Sequence, residues 1–196
     1  MIMDNNIAAG IISQTITSCR VVIATMTVCC LLYGIIVLSF GQLVAPNSAN
    51  GSLLYNQHGE VFGSELIAQG FSSPEYFWPR PSAVDYNASA SGGSNLSPAN
   101  LELRSRAKSI IASMGVAGEE IIPADLVTAS GSGLDPNISL NAAKYQAERV
   151  ARSRDLSIAS VAKLIEEFSK RPGGVLASEP VVNVLLVNMA LDRMDK

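Results

Sequence analysis

Beyond residue 30 the sequence has no cysteine. All three thiols, Cys19, Cys29 and Cys30, lie in or beside one apolar stretch near the N-terminus. The remainder therefore has no disulfide framework and must be held by its own core. There is one histidine, His58, and no cluster of Cys or His, so zinc and iron sites lack their usual ligands. No excess of positive charge is present either. Of the 14 Lys plus Arg and 17 Asp plus Glu, all but Arg20 and Asp4 fall beyond residue 45, 13 bases against 16 acids, which argues against a nucleic-acid binder. Long apolar runs are also scarce: there is one.

That run is Val21 to Leu43, 23 residues without Asp, Glu, Lys, Arg or His. At about 1.5 Å per residue it can cross a hydrocarbon core of roughly 30 Å. A cleavable signal has a shorter apolar core and a small-x-small site, and Pro46 follows the only candidate near Val44-Ala45. The run is therefore expected to be a retained transmembrane helix. Residues 1–20 form a tail carrying Arg20, and on the other side no Lys or Arg occurs before Arg80. The positive-inside tendency then puts the N-terminus in the cytoplasm and the large domain outside. Thr27, Gly34 and Gly41 recur every seven residues, with Cys30 beside them. Small residues on one stripe let another helix approach closely in lipid, so these four are the candidate docking residues within the membrane.

Residues 44–52 read as a polar hinge, and 53–196 as a single extracytoplasmic domain. Its first part suggests two short strands, Leu53 to Asn56 and Glu60 to Gly63, around a turn containing Gly59. Pro74 to Ala83 holds three aromatics and three prolines, too many prolines for a regular helix. Tyr76, Phe77 and Trp78 must be buried or meet a partner; burial is the expectation. Three amphipathic helices follow. The first is capped at Ser97-Pro98, has a stripe of Leu103, Ala107, Ile110, Ile111 and Met114, and ends at Gly115. The second runs from Ser139 to about Ser153, with Glu148 and Arg152 paired on the wet side. The third is capped by Ser157, has Ile158, Val161, Ile165 and Phe168 as its stripe, and is ended by Pro172-Gly173-Gly174. A strand is expected at Leu126 to Thr128. The C-terminal VVNVLLVNMALD is a strand leading into a helix, or one helix. Strands early and helices late on one core make the fold class α+β: one N-terminal transmembrane helix followed by a single α+β domain.

Chemistry is sparse. Ser130 to Gly133 lacks the lysine of a phosphate-binding P-loop. Two Ser-x-x-Lys tetrads, Ser105 to Lys108 and Ser160 to Lys163, have none of the companion motifs of the serine acyl-enzymes. No catalytic residue and no metal ligand is assigned. Between residues 46 and 103 one base, Arg80, stands against Glu60, Glu65, Glu75, Asp85 and Glu102. Such an acidic half raises the local concentration of cations, which makes Glu60, Glu65, Glu75 and Asp85 cation-gathering candidates.

Several stretches resemble one family, the C subunit of the Kdp high-affinity potassium-transporting P-type ATPase. They are Gly63-Ser64-x-Leu66-Ile67-x-Gln69-x-Phe71, Tyr76-Phe77-Trp78-x-Arg80-Pro81-Ser82-Ala83, Tyr86-Asn87, Ser91-Gly92-Gly93-Ser94-Asn95-Leu96 and the run from Asp125 to Pro136. Ile138-Ser139, Ala142-Ala143-x-Tyr145-Gln146, Arg149-Val150-Ala151 and the stretch from Val182 to Asp192 extend the resemblance to the C-terminus. The chain has Ser97-Pro98-Ala99-Asn100 where the family typically shows Gly-Pro-Thr-Asn, and Asn137 where a histidine is common.

The resemblance implies an accessory, non-catalytic subunit of an ATP-driven potassium uptake pump in the cell membrane. Its partners would be a channel-like potassium-binding A subunit, an ATP-hydrolysing B subunit and a small F subunit. It implies no cofactor of the chain's own, since ATP and potassium are handled by the complex. The family is also described as a catalytic chaperone that raises the ATP affinity of the B subunit. In that description the loop Ser91, Gly92, Gly93, Ser94 and Asn95 is likened to an ABC-transporter signature. An external domain cannot meet cytoplasmic ATP, so the derived orientation favours a role in assembly and at the ion entrance. A stand-alone membrane-anchored hydrolase or binding module is the competing class.

Overall fold

The computed structural model describes residues 2–56, 58–114, 121–174 and 179–194, with side chains from residue 10 onward. It divides into two compact units, Met1–Ser52 and Leu53–Lys196.

The first unit is almost entirely helical. Helix α1 covers Ile2–Met26, a π-helical turn Thr27–Leu32 follows, and α2 covers Tyr33–Val44. The helix thus begins well before Val21, and the segment long and apolar enough to cross a membrane is Gly10–Val44, 35 residues. Thr25 and Thr27 donate their hydroxyls to Val21 and Ile23 carbonyls, at 2.8 and 2.9 Å, so these polar groups are satisfied within the helix. Ala45 breaks the helix with φ −144°, and the expected hinge is itself largely a short helix, α3 (Pro46–Ala49). Pro46 at its first position explains why: the fixed φ suits a helix start, where no N–H is needed. The Gln42 side chain then ties Asn50 to the last turn of α2 at 3.0 Å.

The second unit is α+β. Strands β1 (Leu53–Tyr55) and β2 (Val61–Ser64) form the expected hairpin, with a register shift at Leu54/Tyr55. Residues 65–100 contain no regular element. Helix α4 (Leu101–Ser113) is capped by Asn100, whose side chain accepts from the Glu102 N–H at 2.8 Å. The start therefore lies three residues beyond the Ser97-Pro98 cap read from the sequence, because Asn100 offers the better-placed acceptor. Its expected end at Gly115 lies outside the described residues.

No strand forms at Leu126 to Thr128. Ala124–Leu126 is one 3-10 turn after Pro123, and both the Thr128 N–H and its hydroxyl return to the Ala124 carbonyl. That local closure competes with strand pairing. Strand β3 (Asn137–Ser139) leads directly into α5 (Leu140–Ser153), then α6 (Ile158–Glu167), β4 (Ser169–Lys170), β5 (Val181–Asn183) and α7 (Val184–Met194). Ser139 and Ser157 cap α5 and α6 as expected. Helix α6 stops at Glu167, ahead of Pro172-Gly173-Gly174, because Ser169 and Lys170 pair with β5. The C-terminal segment is a strand followed by a helix. The three late strands form an antiparallel sheet of order β3-β5-β4, which corrects the expectation of strands early and helices late.

The core lies between this sheet and the inner faces of α5, α6 and α7. Ala142, Ala143, Ala147 and Val150 meet Val161 and Ile165, Ile138 and Val182, and Val184, Val187 and Leu191. Small alanines on α5 let the other elements approach closely. On α6 Leu164 is buried beside Val161 and Ile165, while Ile158, placed in the stripe by sequence, is exposed. Helix α4 buries no residue completely.

Candidate functional site

Two surfaces carry the residues singled out from the sequence: the apolar helix, and the irregular stretch 65–100 with the structure that holds it.

On the helix, every described large apolar side chain from Ile11 to Val44 is exposed. The π-turn changes its register. The Tyr33 N–H bonds to the Val28 carbonyl, five residues back, so one extra residue is accommodated. In an uninterrupted α-helix Thr27, Gly34 and Gly41 would be nearly in line. The extra residue rotates Thr27, at the start of the turn, by about 100° relative to that line, leaving Gly34 and Gly41 aligned on α2 and Cys30, within the turn, displaced by less. An added Cβ at Gly34 would meet nothing within 4 Å, and at Gly41 only Ala49, at 3.6 Å.

In the domain, the strap from Pro74 to Pro81 is held by side chains and not by a neighbouring strand. Asn188 on α7 accepts from the Phe77 N–H at 2.9 Å and donates to the Phe77 carbonyl at 3.0 Å. Gln146 on α5 does the same for Trp78, at 2.8 and 3.1 Å. Each amide imitates the two bonds of a β-bridge, which satisfies main chain that prolines keep out of regular structure. Arg149 donates to the carbonyls of Pro74 and Tyr76, at 2.6 and 3.0 Å, and lies 3.9 Å over the Trp78 ring. Burial lowers its pKa to about 10, which leaves it charged at neutral pH. Arg154 donates to the Glu75 carbonyl and to Asp192, both at 2.8 Å, and lies over Tyr76. Phe77 is completely buried, while Tyr76 and Trp78 are half-buried beneath these two cations. The aromatics are thus accounted for by the core and its rim.

The loop Ser91 to Asn95 lies against the Ser130 to Gly133 turn. The Gly92 N–H donates to the Ser132 carbonyl at 2.8 Å, and the Ser91 hydroxyl donates to the same oxygen at 3.2 Å. A Cβ at Gly93 would come within 3.0 Å of the Gly131 carbonyl oxygen. Gly133 has φ +70°, and a Cβ there would meet Val84 at 2.6 Å and the Gly92 carbonyl oxygen at 2.8 Å. Ser82 donates to the Gly133 carbonyl at 2.6 Å, and the Ser130 N–H donates to Pro81 at 2.9 Å. Arg80 reaches Asp135 at 3.2 Å, and the Tyr86 hydroxyl donates to the Arg80 carbonyl at 3.0 Å. Burial raises the Tyr86 pKa, with Asp85 adding to the shift. Strap, glycine loop and turn therefore form one interlocked surface. Arg80 and Asp135 also line a separate cleft of about 600 Å³, with Asp125, Asn137, Ser139 and Glu179, that includes no residue of the glycine loop or the turn.

The four acids each have local surroundings. Glu60 accepts from Asn56 at 2.9 Å, Glu65 faces Lys170 at 3.5 Å, and Glu75 accepts from the Ser73 hydroxyl at 3.0 Å. Asp85 is exposed at φ +51°. Among the described residues no three His, Cys, Asp or Glu converge as a metal site would require. Both Ser-x-x-Lys serines face main-chain or capping partners: the Ser105 hydroxyl donates to the Glu102 carbonyl, and Ser160 is bonded to the Ser157 cap. Sequence reasoning missed the clamp residues Gln146, Asn188, Arg149 and Arg154. The readable signal was polarity in the wrong place: Gln146 falls between Ala143 and Val150, and Asn188 between Leu185 and Leu191, on buried stripes.

Similarity to known proteins extends over most of the chain. The family model of the K+-transporting ATPase c chain, KdpC, matches residues 15–193. The potassium-transporting ATPase KdpC subunit of Parvibaculum lavamentivorans is 49% identical over 180 residues, covering 92% of this chain and 96% of that protein. The KdpC subunits of Burkholderia orbicola and Burkholderia cenocepacia are each 50% identical over 169 residues, 83% of this chain and 86% of theirs. With its apolar helix, clamped strap and interlocked glycine loops, the chain belongs to the KdpC family, the c chain of the K+-transporting ATPases.

Proposed function

We propose that the chain is an accessory subunit of an ATP-driven potassium uptake pump and takes no part in bond-breaking itself. The helix Gly10–Val44 crosses the membrane once, with its N-terminus in the cytoplasm, and docks on a channel-like potassium-binding subunit. The domain from residue 53 sits outside, over that subunit's ion entrance. An ATP-hydrolysing subunit and a small further subunit complete the assembly, and ATP and potassium are handled by those partners. The observation that carries this reading is the helix: 35 residues whose described large apolar side chains are exposed, in a member of the KdpC family.

The glycine loop supports an assembly role over nucleotide binding. The Gly92 N–H, which a phosphate would need, is already donated to Ser132, and Gly93 is packed against Gly131. The dispersed acids support gathering of cations by a diffuse potential, with no chelation needed. Neutralising Glu60, Glu65, Glu75 and Asp85 together is expected to raise the external potassium concentration needed for half-maximal uptake, most clearly at low ionic strength. An unchanged concentration dependence would contradict that part of the reading. Orientation is tested separately. A cysteine introduced at Ser89, in a background with Cys19, Cys29 and Cys30 replaced by serine, is expected to react with an impermeant reagent only from outside the cell.

A further inference from the structure

Helix α4 differs from the other long helices of its domain. Helices α5, α6 and α7 each bury several side chains completely, and α4 buries none. At about 100° per residue, Leu103, Ala107, Ile110 and Met114 share one side, and these four are partly buried. A second stripe, Leu101, Arg104, Lys108 and Ile111, lies roughly 110° around the helix from the first, all four exposed, with Leu101 76% and Ile111 37% accessible. Arg104 and Lys108 make no ion pair among the described residues, whereas Arg152, Arg154 and Arg80 do. The helix holds three bases against Glu102 alone, while the rest of residues 46–196 has an excess of acids.

A helix side with cations at its centre and an aliphatic residue near each end suits the boundary between phosphate headgroups and acyl chains. The rest of the domain, being acidic, is repelled by the same surface, so α4 selects which side of the domain meets it.

We propose that the outward stripe of α4, Leu101, Arg104, Lys108 and Ile111, rests on anionic lipid headgroups of the membrane that holds the N-terminal helix. The contact is additional to docking in the membrane and orients the domain. It rests on the reading of Gly10–Val44 as a span, and the test keeps the two apart.

The full chain, with its three cysteines replaced by serine, is reconstituted in lipid nanodiscs and labelled at an introduced cysteine with an environment-sensitive fluorophore. Label at Ala112→Cys, on the exposed side of α4, reports the proposed contact; label at Ser39→Cys reports insertion of the span. The discs contain phosphatidylcholine alone, or with about 30 mol% phosphatidylglycerol to supply surface charge. At position 112 the anionic discs are expected to shift emission to the blue and to reduce iodide quenching severalfold. Both effects should vanish in Arg104→Glu/Lys108→Glu and in roughly 0.5 M salt. Equal spectra in the two lipids overturn the proposal, as does a shift that survives the charge reversal. Protection in neutral discs to the same degree overturns it too, because surface charge would then play no part. Quenching at position 39 would remove the span and the proposal together.

Discussion

Asn188 and Gln146 each hold both polar groups of one residue's main chain, and neither is replaceable by an apolar residue of similar size. Asn188→Ala leaves the N–H and carbonyl of buried Phe77 without partners and is expected to cost about 3 kcal/mol. Urea unfolding followed by Trp78, the single tryptophan, reads this directly because the reporter sits in the clamp. Loss of the exposed pair in Glu148→Ala should stay within about 0.5 kcal/mol. Two neighbouring glycines give an opposite pair: Gly133→Ala forces a left-handed alanine onto Val84 and the Gly92 carbonyl and should cost at least about 2 kcal/mol. Gly131→Ala meets open space and should be tolerated.

Tyr86 supplies a pH dependence. Burial raises its folded pKa above 10, so its contribution is complete below pH 10 and is lost as pH rises through the folded value. The stability advantage of the unsubstituted chain over Tyr86→Phe should therefore be constant from pH 7 to about 9 and shrink above about 10. An advantage that grows with pH would contradict the burial of the phenol.

At the scale of elements, the π-turn matters most. It rotates Thr27 away from the line of Gly34 and Gly41, so the two glycines on α2 are where a second helix would approach most closely. Gly34→Leu is expected to reduce copurification with the channel-like subunit severalfold while leaving membrane insertion intact. Thr27→Leu should have a smaller effect. Equal effects would mean that the seven-residue spacing governs docking despite the turn.

Elements with a long period were legible in the sequence. Both α5 and α6 showed a serine cap and an apolar stripe, and the hairpin showed its glycine turn. The three-stranded sheet was not. Its strands are two or three residues long, too short for an alternating pattern to register, and Ser169–Lys170 has no apolar residue at all. The clamp was hidden for another reason: its acceptors are main-chain atoms of a distant segment, which no side-chain pattern reveals.

For the whole molecule, the two units differ in kind: one is an apolar helix whose described large side chains are exposed, the other a domain with a closed core. The resemblance in the sequence and the comparisons with relatives agree on the KdpC family. Subunit membership is the claim on which docking, cation gathering and orientation all depend. It is tested most directly by solubilising membranes from the native cell grown on limiting potassium and purifying the chain through a C-terminal tag. A potassium-stimulated ATPase activity is expected to copurify with it in fixed proportion. A chain that emerges alone, under conditions where the same membranes retain that activity, would contradict it.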